Sequence, residues 1–159
     1  MRKSIAEMLT GQRGQTENSL HRNCFACGSN DGMGLGLKFY EREDGAVFGN
    51  FFADPKFEGY AGIIHGGIIA TLLDSAMTHC LLMEGIPALT GRLSIRYSTP
   101  IRTGVVVKLE AKIVKKSHKI FTLEGKAYVD GKKAASAVAK YMRSDSPNLR
   151  LDFHSVIPV

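Results

Sequence analysis

The sequence predicts an α+β fold in which one long helix is wrapped by a curved antiparallel sheet. Three observations lead there. Between Ile68 and Met83 the apolar residues Ile69, Leu72, Leu73, Ala76, Met77, Cys80 and Leu81 recur at helical steps. After Pro87 the chain alternates apolar and polar residues, segment after segment, with the period of a half-buried strand. Before the helix, a shorter alternating pair is joined by a turn. A lone long helix buries its apolar residues best against a sheet that curves around it.

Taken in order, Ser4–Leu9 reads as a short helix followed by a polar connector, and Asn23–Gly32 as a loop dense in turn residues. A strand pattern begins at Leu35, with Leu37 and Phe39 on the same parity. Glu43-Asp44-Gly45 turns it and Val47–Phe51 returns, a hairpin. Asp54-Pro55 breaks the strand, and Phe57–Ile64 leads into the central helix, which Gly85 ends by accepting a left-handed conformation. Leu93, Ile95 and Tyr97 then alternate with Arg92, Ser94 and Arg96. Val107–Ile113 and Phe121–Val129 follow with the same period, and the last strand runs from about Lys133 to Arg143. Asp130-Gly131 is a strong hairpin signal and Lys116-Ser117-His118 a second one. We therefore expect a folded domain over residues 35–143, an N-terminal helix and cysteine loop over 1–34, and a tail over 144–159.

A chain of 159 residues with 44% hydrophobic and 23% charged residues is an ordinary globular domain in size and composition. The N-terminus has no continuous apolar run of the secretory type, and His65, Asp74 and His79 interrupt the most apolar stretch. The expectation is a cytoplasmic protein without a membrane span. A net charge of +6 favours an anionic partner, but the basic residues are scattered and no nucleic-acid motif is present. A phosphorylated small molecule fits that balance; nucleic acid is not expected. Cys24 and Cys27 form one C-x-x-C, read first as a turn. It supplies two ligands where structural zinc takes four, His21 is the one further candidate nearby, and no second pair follows. No metal and no cofactor are expected. Cys80 belongs to the core.

The chemistry concentrates in His65-Gly66-Gly67 and Asp74. The two glycines lie where the first unpaired helix N–H groups fall, open to an approaching oxygen and at the positive end of the helix dipole. Asp74 is a carboxylate on an otherwise apolar helix, costly to bury ionised without a partner. On a continuous helix about 12 Å of rise separates Gly66 from Asp74. Reacting groups must approach to about 3–3.5 Å, so one chain cannot bring both to one reaction. Two such helices packed antiparallel about a two-fold axis would bring each Asp74 to the partner's glycine turn, which predicts a composite site in a homodimer.

These residues resemble a known family. His65-Gly66-Gly67, Asp74, Thr90 and Tyr97-x-x-Pro100, in this strand order, are similar to the hot-dog-fold acyl-CoA thioesterases of the phenylacetate-pathway and thioesterase-superfamily type, over about Asn23–Arg143. The resemblance implies a hot-dog dimer, often paired into a dimer of dimers, that hydrolyses acyl-CoA. It implies that the Gly66 N–H binds the thioester oxygen and that Asp74 of the other subunit attacks or activates water. It gives His65 an orienting role at the helix start and Thr90 a role in positioning water or the acid, although Thr90 shares parity with the polar Arg92 and Ser94. CoA in relatives lies along the segments matching Tyr97–Arg102 and Lys115–Ile120, so Tyr97, Arg102, Lys115, Lys116 and Lys119 are binding candidates, together with Gly67 of the turn. Glu58 is the nearest polar group upstream of His65 where relatives often carry Asn, Gln or Glu.

Two alternatives have a basis in the sequence. A hot-dog hydratase or dehydratase would use Asp74 with His79, but a five-residue helical step turns the two about 140° apart. The Asn-Pro and Pro-Gly elements of those families are also missing. A non-catalytic acyl-CoA-binding protein would have no need of Asp74.

Overall fold

The computed structural model describes residues 21, 23–28 and 34–144. The expected helix over Ser4–Leu9, the polar connector and the tail beyond Asn148 lie outside the described residues. Six strands and one long helix follow in the expected order: β1 (Phe39–Glu41), β2 (Val47–Phe52), α1 (Gly66–Met83), β3 (Ala88–Tyr97), β4 (Val106–Lys116), β5 (Ile120–Val129) and β6 (Lys132–Arg143).

The strands form one antiparallel sheet in the order β1-β2-β4-β5-β6-β3. Helix α1 carries the chain from β2 to the opposite edge, where β3 pairs with β6, and it touches every strand on the way. Leu72, Leu73, Ala76, Met77, Cys80 and Leu81 are buried against the inward-facing residues of the sheet, among them Val107, Leu109, Leu123, Ala135, Ala137 and Ala139. By length and composition α1 could cross a membrane, but ten of its residues are buried, which is the pattern of a core helix.

Local chemistry sets the ends of these elements. Asp130 and Gly131 both have positive φ, 49° and 77°, as a two-residue hairpin requires. Gly85 at φ 69° ends α1: its N–H donates to Leu82 O and that of Ile86 to Leu81 O, while the Ile86 side chain folds back into the core. The hairpin over Glu43-Asp44-Gly45 is closed by hydrogen bonds between Arg42 and Ala46 and between Gly45 and Arg42.

The strand expected from Leu35 begins only at Phe39. Gly36 has φ 61°, which breaks the extension, and Leu35 and Leu37 instead donate to Phe25 O and Ala26 O of the cysteine loop. In β3 the register with β6 shifts between Thr90 and Arg92, so Gly91 is an extra residue. That bulge moves Thr90 to the opposite parity from Arg92, opposite the buried Tyr141. The alternation that placed Thr90 with the solvent-facing residues stops at the bulge.

Where α1 crosses β5 the sheet carries Gly125, and a Cβ there would lie 3.3 Å from Met77 Cγ and 3.4 Å from Leu73 Cδ2. The absent side chain sets how closely helix and sheet approach. Replacing Gly125 with Val should lower stability by about 1–3 kcal/mol through overpacking. Urea unfolding of the variant measures this, and an unchanged midpoint would contradict a close-packed crossing.

Candidate active site

The glycine turn is held from both sides. Glu58 bridges to Ile64, Ile63 to Arg102, and the Gly62 N–H donates to Glu58 Oε2 at 2.9 Å. The His65 N–H donates to Phe57 O, fixing where the helix starts. His65 is the N-cap, with φ −59° and ψ 133°, and its Nδ1 accepts from the Gly67 N–H at 2.9 Å. The proton of the neutral imidazole therefore sits on Nε2, on an exposed ring. The N–H groups of Ile68 and Ile69 both donate to His65 O.

That leaves one donor. Among the described residues the Gly66 N–H has no hydrogen-bond partner, while that of Gly67 is taken by the cap. A Cβ at Gly67 would lie 3.0 Å from His65 Nδ1, so glycine there makes room for the imidazole. Tyr97, at the end of β3, donates its hydroxyl to Gly66 O at 2.9 Å and ties the edge strand to the helix start.

Asp74 is half-buried on the same helix. Its Oδ1 accepts from Thr90 Oγ1 and from Tyr141 OH, both at 2.8 Å. Tyr141 also donates to Asp74 O at 3.0 Å, and Thr78 Oγ1 lies 3.4 Å from the phenol oxygen. Oδ2 has no partner among the described residues. Burial, followed by the nearby Asp74 carboxylate, pushes the Tyr141 phenol far above its usual range, so it remains a donor.

Tyr141 is the site residue that sequence reasoning missed. Its signal was available: it shares the inward parity of Ala135, Ala137 and Ala139, and a buried phenol needs a polar partner. On the helix opposite, Asp74 provides one.

The basic candidates divide between the two ends of the molecule. Arg102 is exposed beside the glycine turn, through its bridge to Ile63. Lys115, Lys116 and Lys119 are exposed on the β4–β5 hairpin, where Lys116 Nζ pairs with Glu84 at the far end of α1, 2.7 Å from Oε1. The 18-residue helix between them is about 27 Å long. Within one chain Arg102 and this lysine cluster do not meet.

His79 is a core residue. It is buried, its Nδ1 lies 2.8 Å from Ser75 O, and its ring packs at 4.5 Å on Phe39 of β1. Burial lowers its pKa. Asp74 instead faces β3 and β6, so the Asp74/His79 pair of the hydratase alternative points to different walls. A metal-binding arrangement does occur nearby, since His21, Cys24 and Cys27 bring a ring nitrogen and two sulfurs within 4.8 Å of one another.

Residues 61–135, which contain the glycine turn, α1 and most of the sheet, match the family model of the thioesterase superfamily. That match covers just under half of the chain, and the antiparallel sheet around one long helix is the superfamily's hot-dog fold. The phenylacetic acid degradation protein PaaI from Thermus thermophilus, in the structure of a point mutant, superposes with a TM-score of 0.64 at 25% identity, covering 69% of this chain and 95% of that one. Acyl-coenzyme A thioesterase THEM4 of Xenopus laevis is 33% identical over 94 residues, 58% of this chain and 42% of that protein. The hot-dog chain thus spans less than half the length of this curated relative. The 3-hydroxyacyl-acyl-carrier-protein dehydratase FabZ of Aliarcobacter butzleri is 30% identical over 113 residues, 69% of this chain and 77% of that protein.

The Tyr141 hydroxyl is the buried half of the Asp74 hydrogen-bond pair. Tyr141→Phe should therefore lower stability by about 1.5–3 kcal/mol, the range for a hydrogen bond to a charged group. Denaturant unfolding at neutral pH checks it, and no loss would mean that the phenol does not hold the carboxylate.

Proposed function

We propose that this protein hydrolyses an acyl-CoA thioester at a site completed by two protomers, the Gly66 N–H coming from one and Asp74 from its partner. One observation carries the reading: a single uncapped N–H at the helix start and a carboxylate with one unpartnered oxygen lie on the same straight helix, about 12 Å apart. Each is prepared for chemistry, and neither reaches the other in its own chain. An antiparallel partner would supply what each lacks, twice, by two-fold symmetry. The outer edge of β3 pairs with nothing among the described residues, which leaves a strand edge available to such a partner.

In this mechanism the thioester oxygen accepts from Gly66 N–H, aided by the positive end of α1. One such donor is worth about 2.7–4 kcal/mol where charge develops on that oxygen. Asp74 Oδ2 takes a proton from water as water adds to the carbonyl carbon; the C–S bond then breaks and the sulfur leaves with a proton. Alternatively Oδ2 attacks the carbon itself and expels the CoA thiolate, which is protonated by solvent, giving an anhydride that water opens. In either case Thr90 and Tyr141 orient the carboxylate through Oδ1, leaving Oδ2 for the reaction. His65 serves as the cap that occupies Gly67, and Gly67 gives the cap its room. Arg102 beside one glycine turn, together with Lys115, Lys116 and Lys119 of the partner, would meet the CoA phosphates as solvated point charges. We further expect these dimers to pair into a dimer of dimers.

Water addition to an enoyl thioester is the second reading, and the similarity to FabZ favours it. The sealed His79 weighs against it, because the imidazole lies under Phe39 rather than beside Asp74. Thiol release from an acyl-CoA, assayed beside loss of the enoyl chromophore, separates the two. The THEM4 relative, named for acyl-coenzyme A, directs the first assay to CoA esters.

The composite site has a direct test. Asp74→Asn should lower kcat by about 10²–10⁴-fold while the fold and CoA binding persist. Gly66→Pro deletes the one uncapped N–H at a helix position that tolerates proline, after a residue already at ψ 133°. It should cost about 10²–10³-fold in kcat. Each variant alone is inactive, but mixed dimers contain one site with both wild-type groups. Activity regained on mixing supports a shared site; two inactive parents that stay inactive after verified exchange would reject it.

A further inference from the structure

The proposed reaction leaves the cysteine loop unused, although the structure draws its chemistry together. We propose that His21, Cys24 and Cys27 bind one zinc ion, which pins this loop to helix α1.

The geometry is close to that of a formed site. The three ligand atoms lie within 4.8 Å of one another, and Cys27 Sγ is 3.5 Å from His21 Nδ1. Tetrahedral zinc, with bonds of about 2.3 Å to sulfur and 2.0–2.1 Å to nitrogen, sets its ligand atoms roughly 3.5–3.8 Å apart. One edge already has that length, and the others need only a small contraction.

The loop is also shaped in advance by its backbone. The Cys24 N–H donates to His21 O at 3.0 Å and that of Gly28 to Cys24 O at 2.8 Å, which winds the C-x-x-C into a tight knuckle. The knuckle is anchored where Leu35 and Leu37 donate to Phe25 O and Ala26 O, and Ala26 is buried in the core. A Cβ at Gly34 would come to 2.2 Å from Phe25 O, so this contact allows no side chain. Ligands held by contacts of their own lose little further freedom when an ion arrives.

The donor set selects the ion. Two sulfurs and an imidazole suit zinc, whereas magnesium and calcium take oxygen. As the ion binds, each thiol gives up its proton to solvent. Two thiolates and a neutral imidazole then balance the dication, so a half-buried site acquires no net charge. Beneath it, the His79 ring meets that of His21 edge-on at 6.0 Å and rests on Phe39, forming a closed floor on the helix side. Among the described residues no other His, Cys, Asp or Glu joins the group. A bare thiol pair would account for the cysteines but not for the imidazole beside them.

The experiment uses the full chain, purified reduced and without chelator. Elemental analysis should find one zinc per chain, and Cys24→Ser or His21→Ala should lose it. Cobalt in place of zinc should show thiolate-to-metal charge transfer and the visible bands of a tetrahedral ion. A strong chelator should expose two additional thiols to a thiol reagent and lower Tm in the wild type. Should the substituted chains fail to fold, cobalt titration and thiol counting on the wild type decide alone. Zinc far below one per chain with no cobalt–thiolate band in the reduced protein would overturn the proposal. So would full zinc retention in folded Cys24→Ser.

Discussion

Helix α1 is a rigid rod, and its length governs what the rest of the fold can do. It must be long to span the concave face of a six-stranded sheet, because only then does its apolar surface leave water. The same length holds the helix start and the mid-helix carboxylate apart. A fold that buries one continuous helix so fully cannot bend it to bring the two together. In the proposed dimer, two-fold symmetry would remedy that separation, since a single contact surface repeated twice would complete two sites.

Two polar side chains, one on α1 and one at its start, are each held in place by hydrogen bonds. Asp74 is tolerated in an apolar setting because Thr90 and Tyr141 satisfy one of its oxygens. Both donors come from the sheet, one placed by a bulge and the other by strand parity, so the carboxylate's orientation is a property of the β3–β6 pairing. At the helix start the His65 imidazole performs the complementary task by occupying Gly67 and leaving Gly66 open. Stability and chemical readiness thus rest on the same few hydrogen bonds.

Much of the architecture was legible in the residues. Period-three-to-four spacing marked α1, alternation marked β3 to β6, and Asp130-Gly131 marked its hairpin, because these signals depend on local sterics and on which side of each element is apolar. The Gly66–Asp74 separation was equally legible, since the helical rise is constant. Parity alone would set Thr90 beside Arg92 and Ser94, but an inserted residue at Gly91 reverses the alternation, and a bulge has no firm local signature. The strand start was set four residues early because Gly36, rather than the apolar pattern, decides where extension begins.

By itself, then, the sequence determined the order and kind of the elements, the core side of each, and the distance along α1 between a possible donor and a possible acid. Those quantities are local, repeating from one residue to the next. Only the tertiary structure decided which Asp74 oxygen is occupied, which glycine N–H stays open, that Tyr141 completes the acid's surroundings, and that His21 lies against Cys27. Each of these joins atoms that are near only after the sheet has closed around the helix, and side-chain partners across such a gap are set by packing rather than by sequence spacing.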